Sequence, residues 1–248
     1  MHNRGAMASP FFGELFGTFI LVLLGDGVVA GVLLKRSKGE NAGWLVVTAG
    51  WGLAVFGGIV TAQACGSPDA HLNPAVTLGA AITNGDFSKL LPYSVAQLAG
   101  AFLGAAAVWL HYLPHWALTD DPNLKLGSFC TIPAVRHPGA NLTSEIIATF
   151  VLAVVAAAIF SARVAAMGPA AGLGPLMVGS LVWGIGMSLG GPTGYAINPA
   201  RDLGPRLAHA VLPIAGKRDA DWGYAAVPVA GPLIGGALAG LFVGAVGF

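Results

Sequence analysis

The triplet Asn-Pro-Ala occurs twice, at 73–75 and at 198–200, inside a chain that is otherwise strongly apolar. Asn is favoured at the N-cap of a helix and Pro is tolerated at its first position. Each copy therefore predicts the start of a short helix. Only 9% of the 248 residues are charged, against roughly 25% in soluble domains. So few charges cannot give a globule a wetted surface, so the chain reads as an all-α integral membrane protein. Its net charge of +1 carries no nucleic-acid signal. Cys65 and Cys130 fall in no metal-ligand spacing and read as two unpaired thiols.

A spanning helix needs about 20 mainly apolar residues. Six stretches qualify, at roughly 11–34, 43–64, 90–112, 142–162, 172–189 and 223–248. The residues before the first are polar, with no cleavage site after a short apolar core, so that run reads as a span rather than a signal peptide. Two further apolar stretches, 73–83 and 198–212, are too short to cross. The connection 113–139 is polar and is expected to lie outside the bilayer. Its neighbour Asn141 begins a glycosylation sequon that reads as a chance match.

Three features recur in the same order. Glu14 is followed 131 residues later by Glu145, Trp51 132 later by Trp183, and Asn73 125 later by Asn198. Each half, approximately 8–112 and 140–248 within a single domain 1–248, then holds three spans and one short segment. Three crossings is odd, so the halves form an inverted repeat. The short segments enter from opposite faces as re-entrant half-helices, tolerated only where protein buries them or water lines them. Their positive N-terminal ends, each equivalent to about half an elementary charge, then meet at the midplane and repel cations.

Asn73 and Asn198 are expected to donate from their side-chain amides into a central passage. A water accepting from both cannot pass protons along the file. Arg201 sits in the second short segment, where a charge is costly and seeks a polar cavity. Glu14 and Glu145 read as acceptors for the backbone of the re-entrant loops. An acid–base pair is the enzymatic alternative, but no nucleophile, His cluster or phosphate loop accompanies them. His71 reads as a loop brace or a pH-sensing gate. Small-residue spacings at Gly13 and Gly17, Gly100 and Gly104, and Gly236 and Gly240 predict a tight bundle. Trp44, Trp109, Trp116 and Trp222 fit an interfacial belt, whereas Trp51 lies deeper.

Gly-Glu-Leu-Phe-Gly-Thr at 13–18, His-Leu-Asn-Pro-Ala-Val-Thr at 71–77, Ala-Gln-Leu-Ala-Gly-Ala at 96–101, Glu145 with Thr149, and Gly-Tyr-Ala-Ile-Asn-Pro-Ala-Arg-Asp at 194–202 together resemble the major intrinsic protein (aquaporin) family over essentially the whole chain. Asp202, Arg206 and the pair Pro228 and Val229 are similar to its glycerol-facilitator branch. The resemblance implies a passive channel for glycerol and water in a bacterial cell membrane, assembled as a homotetramer in lipid, without cofactor or metal. It implies two Asn-Pro-Ala boxes, Asn73, Pro74, Ala75 and Asn198, Pro199, Ala200. It implies a filter of Trp51, Gly186, Tyr195 and Arg201, in which Gly186 leaves space where water-selective members carry His. Pore-lining carbonyls are implied at Ala70, His71, Gly194 and Ala196, and loop bracing by Glu14, Glu145 and Asp202.

Two positions depart from the pattern. Tyr195 stands where Phe is common, which makes that corner more polar and slightly smaller. The alternative function is thus a channel tuned to water or to a small hydroxy acid such as lactic acid. Asp69 stands in a longer first loop and is expected to anchor it through backbone N–H groups. A coupled secondary transporter also uses inverted repeats, but needs a titratable or ion-binding group where two amides are expected. The implied topology, with both termini in the cytoplasm, puts Lys35, Arg36, Lys38, Lys125, Arg136, Lys217 and Arg218 outside and Arg4, Lys89 and Arg163 inside. That opposes the positive-inside rule. The family topology is retained because basic residues can serve a pore mouth.

Overall fold

The computed structural model describes residues 8–164, 166–170 and 172–248; Arg4 lies outside them. Among the described residues ten helices follow one another: α1 (Pro10–Leu33), α2 (Trp44–Ala64), α3 (Pro74–Asn84), α4 (Leu90–His111), α5 (Leu113–Leu118), α6 (Pro122–Gly127), α7 (Pro138–Phe160), α8 (Leu173–Leu189), α9 (Pro199–Val211) and α10 (Ala226–Val246). Five of them, α1, α2, α4, α7 and α10, are long and apolar enough to span. The sixth expected span, α8, has 17 residues. At 1.5 Å per residue it reaches about 26 Å, at the short end of the spanning range. Start and stop positions follow local chemistry. Thus α7 begins four residues before the expected 142, because Pro138 takes the first turn and the His137 side chain caps it by accepting from Ala140 N–H.

Helices α3 and α9 are the half-helices. With 11 and 13 residues they are about 17 and 20 Å long, too short for a bilayer core of about 30 Å. The packing pairs repeat between halves. α1 lies on α2 and α4 as α7 lies on α8 and α10; α3 packs on α10 of the other half, and α9 on α4. This is the six-span, two-half-helix fold with an inverted repeat.

Close approach at those crossings depends on missing side chains. A Cβ at Gly79 on α3 would sit 2.8 Å from the Gly236 carbonyl oxygen on α10. A Cβ at Gly204 on α9, the position 125 residues later, would sit 2.6 Å from the Ala101 Cβ on α4. Gly52 and Gly179 lock α2 to α8 in the same way, at 2.7 and 2.6 Å from each other's carbonyl oxygens. With backbones this near, dispersion and packing substitute for the hydrophobic drive that lipid does not supply.

Several sequence expectations change here. The connection 113–139 is not a plain loop. It contains α5 and α6, and Leu126, Phe129 and Cys130 on its later part are buried. Trp116 does not join an interfacial belt. It is 2% exposed, and its indole donates to the Trp109 carbonyl at 2.9 Å. Lys125 is also buried, and its ammonium donates to the Ala215 carbonyl. The Lys217 ammonium donates to the carbonyls of His209, Ala210 and Leu212 at 2.7–2.8 Å, where it meets the negative end of α9. Burial holds the Lys217 ammonium below the usual lysine range. So two of the basic residues that set the unfavourable charge count are committed to internal carbonyls. Asn141 is buried and accepts from His137 N–H, so the sequon is a helix-start residue.

Gly79→Val is expected to force α3 away from α10 and cost about 1–3 kcal/mol from overpacking. A lower midpoint in detergent thermal denaturation, with loss of a monodisperse elution peak, checks this. Gly184→Ala, where a Cβ would meet nothing within 4 Å, is expected to leave both unchanged.

Candidate functional site

The two loops that lead into α3 and α9 are built on the same backbone plan. Ala70 and Leu72 have φ of 45° and 53°, and Tyr195 and Ile197 have 40° and 43°. These are left-handed conformations that side-chain-bearing residues rarely adopt, each costing about 1–3 kcal/mol. They persist because two buried carboxylates hold them. Glu14 on α1 accepts from the N–H groups of His71 and Leu72 at 2.9 and 2.8 Å. It also accepts from the Ser67 hydroxyl at 2.7 Å and the Gln97 amide at 2.8 Å. Glu145 on α7 accepts from Ala196 and Ile197 N–H at 2.9 and 2.8 Å. Both carboxylates are almost fully buried, so charge-assisted bonds from N–H groups replace their lost hydration.

The loops end at Asn73 and Asn198, which cap their half-helices. The Asn73 Oδ1 accepts from Ala75 N–H at 2.9 Å; the Asn198 Oδ1 accepts from Ala200 and Arg201 N–H at 3.0 and 3.3 Å. The amide nitrogens cross over. Asn73 Nδ2 donates to the Ile197 carbonyl and Asn198 Nδ2 to the Leu72 carbonyl, both at 2.8 Å. Each amide has two N–H groups. One therefore clamps the opposite loop and one is left over, beside the positive ends of two helices that meet nose to nose. Pro74 and Pro199 fill the first helical position, where a missing N–H costs nothing, and Ala75 and Ala200 are fully buried beneath the caps.

Two cavities meet beside this junction. The first, about 560 Å³, is lined by residues that include Ala70, His71, Asn73, Ala196 and Asn198, and extends to Asn84 and Phe248. The second, about 540 Å³, is lined by Val29, Leu33, Trp44 and Gly194 among others, at the opposite ends of α1 and α2. Trp51, Tyr195 and Arg201 line both. The cavities thus lie end to end along the bundle as two halves of a passage, with these three side chains between them. The Arg201 guanidinium lies over the Trp51 ring, 4.0 Å from its centroid, a cation–π stack. Among the described residues the guanidinium has no hydrogen-bond partner, and only the Arg201 backbone N–H is bonded. Its donors are free to act on whatever occupies the passage.

The expected space at Gly186 is not open. A Cβ there would meet the Tyr195 ring carbon Cζ at 2.8 Å and the phenol oxygen at 2.9 Å. Tyr195 fills the room that the missing side chain provides, with its ring edge on Trp44 at a centroid distance of 5.8 Å. Gly186 itself contributes its carbonyl to the Trp44 indole N–H at 3.1 Å and lines neither cavity.

Asp202 does not brace the re-entrant loop. It accepts from the backbone N–H and hydroxyl of Thr131 at 2.8 and 2.6 Å, and is ion-paired to Arg206 at 2.8 Å with both side chains fully buried. It ties the end of the 113–139 connection to α9. Thr131 was invisible to sequence reasoning because it lies in a stretch read as external loop. Among the described residues Asp69 bonds no backbone N–H. Its carboxylate accepts from the Lys89 ammonium and the Tyr93 hydroxyl, both at 2.7 Å, clipping the first loop to α4. His71 is braced rather than free: its Nδ1 lies 3.2 Å from the Thr77 hydroxyl and its ring stands edge-on to Tyr93. Asp26, which lines the second cavity, was also missed, although an acid inside an apolar run is a signal in itself.

Comparison with known proteins agrees with this architecture. The family model described as "Major intrinsic protein" matches residues 3–243. A "Probable glycerol uptake facilitator protein" of Thermotoga maritima is 57% identical, over 93% of this chain and 96% of the relative. "Glycerol uptake facilitator protein 3" of Lactiplantibacillus plantarum is 55% identical, over 96% of this chain and 97% of the relative. Among solved structures, the aquaglyceroporin from Plasmodium falciparum superposes with a TM-score of 0.83 at 30% identity, covering 96% of this chain and 95% of that one. The chain belongs to the major intrinsic protein family.

Proposed function

We propose that the protein is a passive channel for glycerol and water in a bacterial cell membrane, closed to protons and ions. The observation that carries this reading is the Arg201 guanidinium stacked on Trp51 where the two cavities join. One side of the narrowing is an apolar indole and the other a fork of unused donors. A polyol can lay its carbon chain on the first and its hydroxyls against the second. The names of the two bacterial relatives and of the Plasmodium structure support glycerol over the water-only and lactic acid alternatives. A coupled transporter is not favoured, because the junction of the half-helices holds two amides rather than a titratable group.

Ion exclusion has two parts in this proposal. At the half-helix junction, two helix ends and two amide N–H groups present positive potential. At the narrowing, Arg201 adds a full charge. A water between Asn73 and Asn198 accepts from both and is prevented from relaying a proton. Tyr195, beside Gly186, sets the size of the narrowing, and the backbone of Ala70, His71, Gly194 and Ala196 supplies acceptors along the passage. Assembly as a homotetramer in lipid belongs to the same proposal. It is supported by family resemblance and by exposed apolar side chains such as Leu53, Leu91 and Leu241.

Proteoliposomes carrying the full chain are expected to admit glycerol far faster than empty ones, independently of a proton gradient, in light-scattering reswelling. Water flow without glycerol entry overturns the reading. Arg201→Val is expected to raise proton leak measurably in a pH-dye assay while glycerol flux persists. An unchanged leak removes Arg201 from the barrier. Glu145→Ala strands two buried N–H groups at about 1–3 kcal/mol each. It is expected to lower the thermal midpoint and stop flux, whereas Glu145→Gln, which keeps one acceptor oxygen, retains more of both.

A further inference from the structure

Asp26 is the feature that the channel reading leaves unused. It sits in the second half of α1, is 1% exposed, and among the described residues its Oδ2 is buried with no hydrogen-bond partner. A carboxyl group in that position is costly unless something bonds to it. Its surroundings show what that is. Asp26 lines the second cavity together with Val29 and Leu33, one and two turns further along the same face of α1. The preceding residue, Gly25, has no side chain, and a Cβ there would collide with the Trp51 ring. The indole therefore packs against α1 at Gly25, one residue before Asp26. Arg201 lines the same cavity and stacks on that indole.

Asp26 and Arg201 are not joined by an ion pair, and the nearby Asp202 is already committed to Arg206 and Thr131. The cavity thus presents a carboxyl group and a guanidinium, not paired with each other, together with the Trp51 indole. Two further polar atoms at this place, Trp51 Nε1 and the Tyr195 hydroxyl, are likewise buried without partners.

We propose that Asp26 is a hydroxyl-acceptor subsite of the second cavity, working with Arg201 to take neutral solutes that carry adjacent hydroxyl groups. One hydroxyl donates to the Asp26 carboxylate, a neighbouring oxygen accepts from Arg201, and the carbon chain lies on Trp51, Val29 and Leu33. The subsite replaces part of the hydration that such a solute sheds before the narrowing. This inference rests on the glycerol-channel reading and adds a specificity-determining residue to it.

The test uses the full chain in proteoliposomes, with glycerol reswelling and osmotic water flow measured on the same vesicles. Removing one good hydrogen bond predicts a glycerol-to-water permeability ratio lower by roughly threefold for Asp26→Asn and roughly tenfold for Asp26→Val. Water flow is expected to persist and serves as the control for folding. A ratio that stays at the wild-type value, or glycerol and water falling together, overturns the subsite while leaving the channel reading standing. Wild-type vesicles that pass no glycerol overturn the channel reading and the subsite with it. If Asp26→Val fails to reach the membrane, the near-isosteric Asp26→Asn decides alone: a lowered ratio supports the subsite and an unchanged one refutes it.

Discussion

The structure depends first on two carboxylates that hold backbone no helix or sheet would hold. In the two loops that lead into α3 and α9, four non-glycine residues, Ala70, Leu72, Tyr195 and Ile197, sit in the left-handed region. In such alternating backbone, N–H groups collect on one side of the loop. Glu14 and Glu145 receive those N–H groups, two each. Without an acceptor of full charge the buried N–H groups would be stranded and the loops would relax out of their strained form. The carboxylates are tolerated at membrane depth for the converse reason, since the loops solvate them.

From these braced loops the rest follows by short range. The loops deliver Asn73 and Asn198 to the same depth, where each caps its own half-helix and clamps the opposite loop. That reciprocal clamp makes the two half-helices one unit across the halves. Glycines at 79 and 204 then let each half-helix press against a span of the other half. The passage lies beside this unit, so its width at Trp51, Tyr195 and Arg201 is inherited from loop geometry rather than set by the spans alone.

Much of this was legible in the chain. The spans announce themselves as apolar runs, and the duplicated Asn-Pro-Ala, Glu and Trp positions announce the inversion. The limits were equally physical. Trp51 and Trp183 match in sequence, yet one is 3% exposed against Arg201 and the other is 40% exposed. The reciprocal approach of Gly52 and Gly179 relates α2 to α8 with an offset of 179 − 52 = 127 residues, so the counterpart of Trp51 in the fold is Val178 and not Trp183. Gly186 promised space, but the phenol of Tyr195, distant on paper only in its contact, closes it. Asp202 was assigned to its own loop and instead meets Thr131, 71 residues earlier. Such partners are set by which connection folds back, and composition says nothing about that.

The sequence by itself determined that the chain crosses a membrane, that its halves are inverted, and that two capped half-helices start within it. Those facts rest on hydropathy, on the odd number of crossings per half, and on the local chemistry of Asn and Pro. Only the tertiary structure decided what each polar group in the interior faces. Asp26 became a residue of the passage, Trp116 a buried brace, and Lys125 and Lys217 partners of internal carbonyls. The reason is that a buried polar side chain is stable only beside a partner, and the partners come from segments far apart in sequence.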